Sequence, residues 1–251
     1  MLTAATCEHR ARYAHRGEGV MTERGYVNPQ LLWMPAELHG RLNDPTLCLI
    51  DSRPGEEYSQ GHIPGAQLLD LFGISLSDTD PAPLKAFSWM IESLMSLRGI
   101  SFDKTVVLYG ETSDVRAARG FWFLEYFGHQ DVHVLDGGIR AWREAGYPVA
   151  TEAKVAKPAR FEGDLQAHTL ATYRDILERL GKSDVVLLDV RTEGEYLGTT
   201  VRAARGGTIP GAVHLEWVQN LDAKGRFKPA AELRQQYEAL GITPDKEVIC
   251  F

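Results

Sequence analysis

Two stretches decide the fold: LCLIDSRPGEEYSQGHIPGA at residues 47–66, and VVLLDVRTEGEYLGTTVRAARGGTIPGA at residues 185–212. Each opens on an apolar run, ends that run on Asp-x-Arg, places Glu-Tyr just beyond, and closes on Ile-Pro-Gly-Ala. The offset is 138 at Asp51/Asp189, Arg53/Arg191, Glu57/Glu195 and Tyr58/Tyr196, and 146 at Ile63/Ile209 through Ala66/Ala212. The second copy therefore carries eight extra residues, all within 197–207. A further block repeats at offset 142: GISFDKTVVLY (99–109) against GITPDKEVICF (241–251). A period of about 140 residues is too long for a solenoid and means two copies of one domain.

The runs LCLID, TVVLY, VHVLD and VVLLD are short and apolar, with β-branched residues and no polar alternation. Such runs read as strands buried on both faces, hence parallel. Helical periodicity lies between them, over 84–97, 117–127, 139–145, 169–180 and 230–240. Strands alternating with helices predict α/β domains, each an open, mainly parallel sheet flanked by helices and joined by right-handed crossovers. Residues 150–160, ATEAKVAKPAR, lack an apolar period and contain Pro158, so they read as a linker. The expected organisation is a disordered tail over 1–26 (with Met21 as an alternative start), a first domain over 27–149, a linker over 150–164 and a second domain over 165–251.

The first copy continues past Tyr109 through a loop, a helix, VHVLD, Gly137-Gly138 and a closing helix with Trp142, whereas Phe251 is the last residue given. A sheet without its last crossover leaves apolar surface wet, at about 25 cal/mol per Å². The second domain is thus expected to be incomplete and the chain truncated.

Composition narrows the function. The 251 residues carry a net charge of −7, with 44% hydrophobic and 24% charged residues. No run approaches the roughly 18 apolar residues of a membrane span. The acidic balance argues against nucleic-acid and anionic-membrane partners. Three cysteines, Cys7, Cys48 and Cys250, are too few for a disulfide scaffold or a four-cysteine zinc site and suit a reducing compartment. The N-terminus lacks the apolar core of a secretory signal, so a cytoplasmic location is expected. Eight histidines show no ligand spacing, and Gly181-Lys182-Ser183 has Ile176 where a phosphate-cradling loop needs glycine. No metal and no organic cofactor are implied.

In open α/β sheets ligands sit beyond the carboxyl ends of the strands, where a loop entering a helix gathers backbone N–H groups. That loop is GETSDVRAAR (110–119) in the first copy, and its counterpart would begin after Phe251. Asp51-Ser52-Arg53, Glu57-Tyr58, 61–66 (GHIPGA), Leu135-Asp136-Gly137-Gly138 and Ala141-Trp142 stand in the first half. Asp189-Val190-Arg191, Glu195-Tyr196, 207–212 (GTIPGA), Glu216-Trp217 and 241–243 (GIT) stand in the second. Over residues 27–251 the sequence resembles a tandem-domain rhodanese, a thiosulfate or 3-mercaptopyruvate sulfurtransferase.

The resemblance implies a cysteine at the head of the second domain's strand-end loop. It takes sulfane sulfur from a small anionic donor, becomes a persulfide and passes the sulfur to a thiol or cyanide acceptor. The physics is covalent catalysis by a low-pKa thiolate in a nest of backbone amides. Gly110 at the equivalent position gives the first domain no nucleophile and leaves it a scaffold. In the second domain that position follows Phe251, so the chain as given is expected to be inactive: a fragment, or a product stopped at a selenocysteine codon. Cys250 aligns with Leu108 inside the strand and reads as a buried hydrophobe. The alternative function is a non-catalytic rhodanese-like module that binds partners or regulates.

The Asp51/Arg53 and Asp189/Arg191 pairs recur in the nucleophile-free half, which favours a structural role, as for Glu195. Arg191 is also a candidate for facing the anion. Arg202 and Arg205 in the eight-residue insertion would concentrate an anionic donor on an acidic protein, or form a solvated loop. His62 is a candidate for the site or a turn residue, and Trp217 lines the site or the core.

Overall fold

A computed structural model describes residues 3–5, 24–76 and 78–251 of the chain. Nine strands occur among them: β1 (Thr3–Ala5), β2 (Leu32–Trp33), β3 (Leu47–Asp51), β4 (Gln67–Leu68), β5 (Thr105–Tyr109), β6 (Val132–Leu135), β7 (Val185–Asp189), β8 (Val213–His214) and β9 (Glu247–Cys250). They form two sheets in two compact units. The leading unit is Gln30–Gln166 with Asp222–Phe227. The trailing unit is Ala167–Leu221 and Lys228–Phe251 with the described residues before Gln30.

The leading sheet has the order β2-β6-β5-β3-β4, all parallel. Side chains alternate across it, as the period of two requires. Leu49, Val107, Tyr109 and Leu135 pack on one face with Trp33, Leu38, Ile139 and Trp142, all at most 3% exposed. The opposite face carries Leu108, which meets the helix Val115–Tyr126 at Gly120. A Cβ there would lie 2.3 Å from Leu108 Cδ2, so glycine is what lets helix and strand approach. The helices Pro81–Leu97 and Gly138–Glu144 fall where the apolar periodicity places them, each within a few residues of its expected ends.

The trailing sheet has the order β1-β9-β7-β8. Its core is Ala171, Ile176, Leu187, Ala212 and Ile249. The parallel register repeats that of the leading unit: Ile50 pairs with Leu108 and Leu188 with Cys250. Ser52 N–H donates to Tyr109 O at 2.9 Å, and Val190 N–H donates to Phe251 O at 2.9 Å. Strand by strand, Phe251 stands where Tyr109 stands.

Two expectations need correction. Residues 1–26 are not a tail throughout: Thr3–Ala5 pair antiparallel with β9, on the edge where β6 flanks β5 in the leading sheet. Arg24 O also accepts from Ala230 N–H, and the Tyr26 hydroxyl donates to Lys228 O. Cys7 and the alternative start at Met21 lie outside the described residues. The stretch 150–164, read as a linker, is part of the leading unit. Ala150 forms an antiparallel bridge with His62, Ala159 N–H donates to Ser96 O, and Phe161 is 2% exposed. Burying one aromatic ring outweighs the lack of apolar periodicity around it.

No described helix is long and apolar enough to cross a membrane. Among the described residues no group of three or more His, Cys, Asp or Glu is placed to hold a metal ion.

Candidate active site

The carboxyl ends of β3 and β7 are built alike. Arg53 folds back on Asp51: its backbone N–H and Nε reach Oδ1 at 3.0 Å, and Nη2 reaches Oδ2 at 2.7 Å and Gly61 O at 2.8 Å. Arg191 does the same. Its N–H and Nε reach Asp189 Oδ1 at 3.0 and 2.9 Å, and Nη2 reaches Oδ2 at 2.5 Å and Gly207 O at 2.9 Å. A guanidinium locked on a carboxylate and a carbonyl ties strand, turn and following helix together. The side chains differ in depth: Arg53 is 2% exposed and Arg191 35%, while both aspartates are fully buried. Arg191 lies over the Phe251 ring at 5.5 Å, with part of its surface open to solvent.

The third partner of each aspartate comes from a different place. Tyr109 donates its hydroxyl to Asp51 while accepting from Ile63 N–H at 3.1 Å, and burial pushes its phenol far up. Phe251 has no hydroxyl. Asp189 Oδ2 instead accepts from Thr208 Oγ1 at 2.7 Å. Burial alone would raise the Asp189 carboxyl, but hydrogen bonds from Arg191 and Thr208 outweigh it and hold the group below its ordinary range.

The loop after β5 shows what a strand-end nest looks like when it is filled. Asp114 caps the helix Val115–Tyr126. Its Oδ2 accepts from Glu111 N–H at 3.0 Å and Thr112 N–H at 3.4 Å, and its Oδ1 from Arg116 N–H at 3.0 Å and Ala117 N–H at 3.4 Å. A Cβ on Gly110 would lie 2.2 and 2.3 Å from those two oxygens. The carboxylate therefore sits in the amide nest as a built-in anion, and no side chain fits at position 110 beside it. Asp222–Phe227 closes over the loop: Ser113 N–H donates to Gly225 O at 2.9 Å and Phe227 N–H to Asp136 Oδ1 at 3.0 Å. Ser113 Oγ also donates to Asp136 Oδ1 at 2.8 Å and accepts from Gly137 N–H at 2.8 Å.

The remaining sequence candidates are dispersed. His62 is wholly buried, stacked on Tyr58 at 3.9 Å, with its ring nitrogens 2.9 Å from Tyr58 O and 3.2 Å from Glu152 O. It holds the Ile-Pro-Gly-Ala turn against residues 150–152 and reaches no solvent-facing cleft. Glu195 forms a reciprocal cap with Thr192, which holds its carboxyl down, and pairs with Arg202 Nε at 3.1 Å. Arg202 is 72% exposed; Arg205 is exposed with no ion-pair partner among the described residues. Trp217 is half-buried, its N–H donating to Val190 O beside Arg191. Cys250 is the last residue of β9 and half-buried, in register with Leu188. Asp114 and Thr208 escaped the sequence reading. Asp114 was open to discovery, since an Asp just before a helix signals an N-cap.

A family model for the rhodanese-like domain matches residues 34–145 and 172–251. The chain belongs to the rhodanese-like domain family. It is 37% identical to the sulfur carrier protein TtuD of Thermus thermophilus, over 90% of this chain and 84% of that one. It is 34% identical to a thiosulfate sulfurtransferase of Azotobacter vinelandii, over 89% of this chain and 83% of the relative. Among solved structures, SseA from Escherichia coli, described as a 3-mercaptopyruvate sulfotransferase of rhodanese fold, superposes with a TM-score of 0.73. The identity is 26%, covering 87% of this chain and 86% of SseA. A rhodanese-like chain with two matched segments agrees with the two sheets and their common register.

Proposed function

We propose that the protein is a tandem rhodanese-type sulfurtransferase, moving sulfane sulfur from thiosulfate or 3-mercaptopyruvate to a thiol or cyanide acceptor. The trailing unit is the working half and the leading unit the scaffold. One observation carries the reading: the shared register of β3/β5 and β7/β9, with Phe251 on Tyr109 and the partly open Arg191 beside it. The nucleophile, a thiol or selenol, is assigned to the position after Phe251, the counterpart of Gly110.

In the transfer the nucleophile's thiolate attacks the outer sulfur of the donor. A sulfur–sulfur bond forms on the enzyme, and sulfite (or pyruvate, after protonation) leaves. The acceptor then attacks the terminal sulfur of the persulfide, and the thiolate is restored. Backbone N–H groups of a nest not filled from within would hold that thiolate down in pKa. Arg191 supplies positive charge at the strand end. A cytoplasmic setting belongs to the same proposal.

The test is a thiosulfate:cyanide assay on the 251-residue chain and on the same chain extended by the residues its gene encodes next. No rate above buffer from the first, with turnover from the second, supports the reading. Turnover from the 251-residue chain alone would show that the nucleophile is misplaced. An inactive extended chain would favour a non-catalytic binding module.

A further inference from the structure

The cationic pocket on the leading unit has no role in the chemistry above. It is a cavity of about 260 Å³ against the first residues of β3, walled by Arg98, Gly99, Lys104, Lys154 and Lys157, with Cys48 lining it. No carboxylate lines it, although the chain as a whole carries a charge of −7. We propose that this pocket binds a doubly charged tetrahedral oxyanion, of the kind phosphate and thiosulfate share.

The second copy of the domain acts as an internal control. Lys104 Nζ donates to Pro45 O at 2.9 Å, and its counterpart Lys246 donates to Ser183 O at 2.7 Å. That lysine ties down a strand start in both copies and contributes only its charge. Arg98 is different: its counterpart is Leu240, and Cys48 is matched by Val186. Arg98, which lines the pocket, anchors its guanidinium through Nε on Leu68 O at 2.6 Å. Lys154 and Lys157 come from the stretch that packs onto this unit. Their approach depends on Gly99, at φ +73°, where a Cβ would lie 2.8 Å from Lys157 O. Ala159 N–H fixes the same stretch on Ser96 O at 2.9 Å. The lysine pair and the arginine are thus gathered by specific backbone contacts, and Arg98 has no basic counterpart in the second copy. Cations converging on a concave wall focus their field on an anion more than the same charges on a convex surface do. A guanidinium with ammonium neighbours suits an oxyanion's spread charge.

The site is independent of the sulfur-transfer proposal, because it lies in the unit assigned no nucleophile. The test is an amide NMR titration of the full 251-residue chain with inorganic phosphate and, separately, thiosulfate, against sodium chloride at matched ionic strength. Saturable shifts at Gly65, Gly99 and 154–157 are expected with at least one ion. The exposed double variant Lys154→Ala/Lys157→Ala should weaken that binding by about tenfold or more. Tighter binding of thiosulfate would mark a donor-linked site, and tighter binding of phosphate a phosphate site; either supports the proposal. No saturable shift at these residues with either ion, or unchanged affinity in the double variant, overturns the proposal.

Discussion

The two copies carry the same clasp at different depths. Asp51 and Arg53 are sealed in the leading unit, whereas Asp189 is sealed but Arg191 keeps about a third of its surface open. A clasp present in both copies has a structural role in each, and Arg191 is the more exposed of the two guanidiniums. Depth also sets the cost of breaking the clasp. Arg53→Ala strands a buried carboxylate and should cost about 3–5 kcal/mol. Arg191→Ala leaves Asp189 with Thr208 and solvent nearby, and should cost no more than about 1–2 kcal/mol. Urea denaturation of the two variants measures both, and equal losses would erase the distinction between a sealed and an open clasp.

The strand-end loop gives a second way to break the comparison. The carboxylate of Asp114 occupies the leading unit's nest and excludes any side chain at position 110. Asp114→Ala should cost about 1–2 kcal/mol through the lost cap. Gly110→Ala should cost about 1–3 kcal/mol because its Cβ meets the carboxylate. Together they should cost less than their sum by roughly 0.5–3 kcal/mol, since the obstacle is gone. Strict additivity in thermal denaturation would mean that the carboxylate is not what keeps position 110 bare.

The hydroxyl supplied to each aspartate sharpens the comparison further. Tyr109→Phe removes a donor from Asp51 and an acceptor from Ile63 N–H, for about 1–3 kcal/mol. Thr208→Val removes the donor to Asp189, for about 1–2 kcal/mol. Adding Phe251→Tyr to Thr208→Val restores a hydroxyl from the strand, as in the leading unit, and should recover part of that loss. Failure to recover any would show that the two clasps are not interchangeable in geometry.

The strands were readable because an apolar run buried on both faces leaves a strong mark. LCLID, TVVLY and VVLLD coincide with β3, β5 and β7. The repeat fixed the registration of Phe251 on Tyr109 without knowledge of any contact. The short helix Pro35–Arg41 and the strand pair of β1 with β9 were not legible. Seven residues carry too little periodicity, and three residues on an open edge are chosen by the edge rather than by their own sequence. His62 misled for another reason: a histidine in a turn looks exposed until a later segment, 150–152, folds over it. The compensation between Tyr109 and Thr208 was hidden because the partners are distant in sequence and swap roles between copies.

The smallest expected effect separates the two units by pH. His129 is 3% exposed, stacked on Phe102 at 5.3 Å. Burial lowers its pKa from the ordinary 6.5, more than the Ser101 carbonyl and Asp131 raise it. Just below 6.5 the unfolded chain takes up a proton that the folded chain refuses. The leading unit's stability is therefore full above that value and falls as the pH drops through the folded pKa. In the trailing unit Asp189 and Glu195 are lowered from 3.8 and 4.5, so their contribution persists through that range and fades only at more acid pH. His129→Phe keeps a ring against Phe102 and removes the titration. Its stability should lie flat just below pH 6.5, where the parent declines. A variant that declines with the same slope would place the acid sensitivity in some other group, and the two units would then differ in burial without differing in their response to pH.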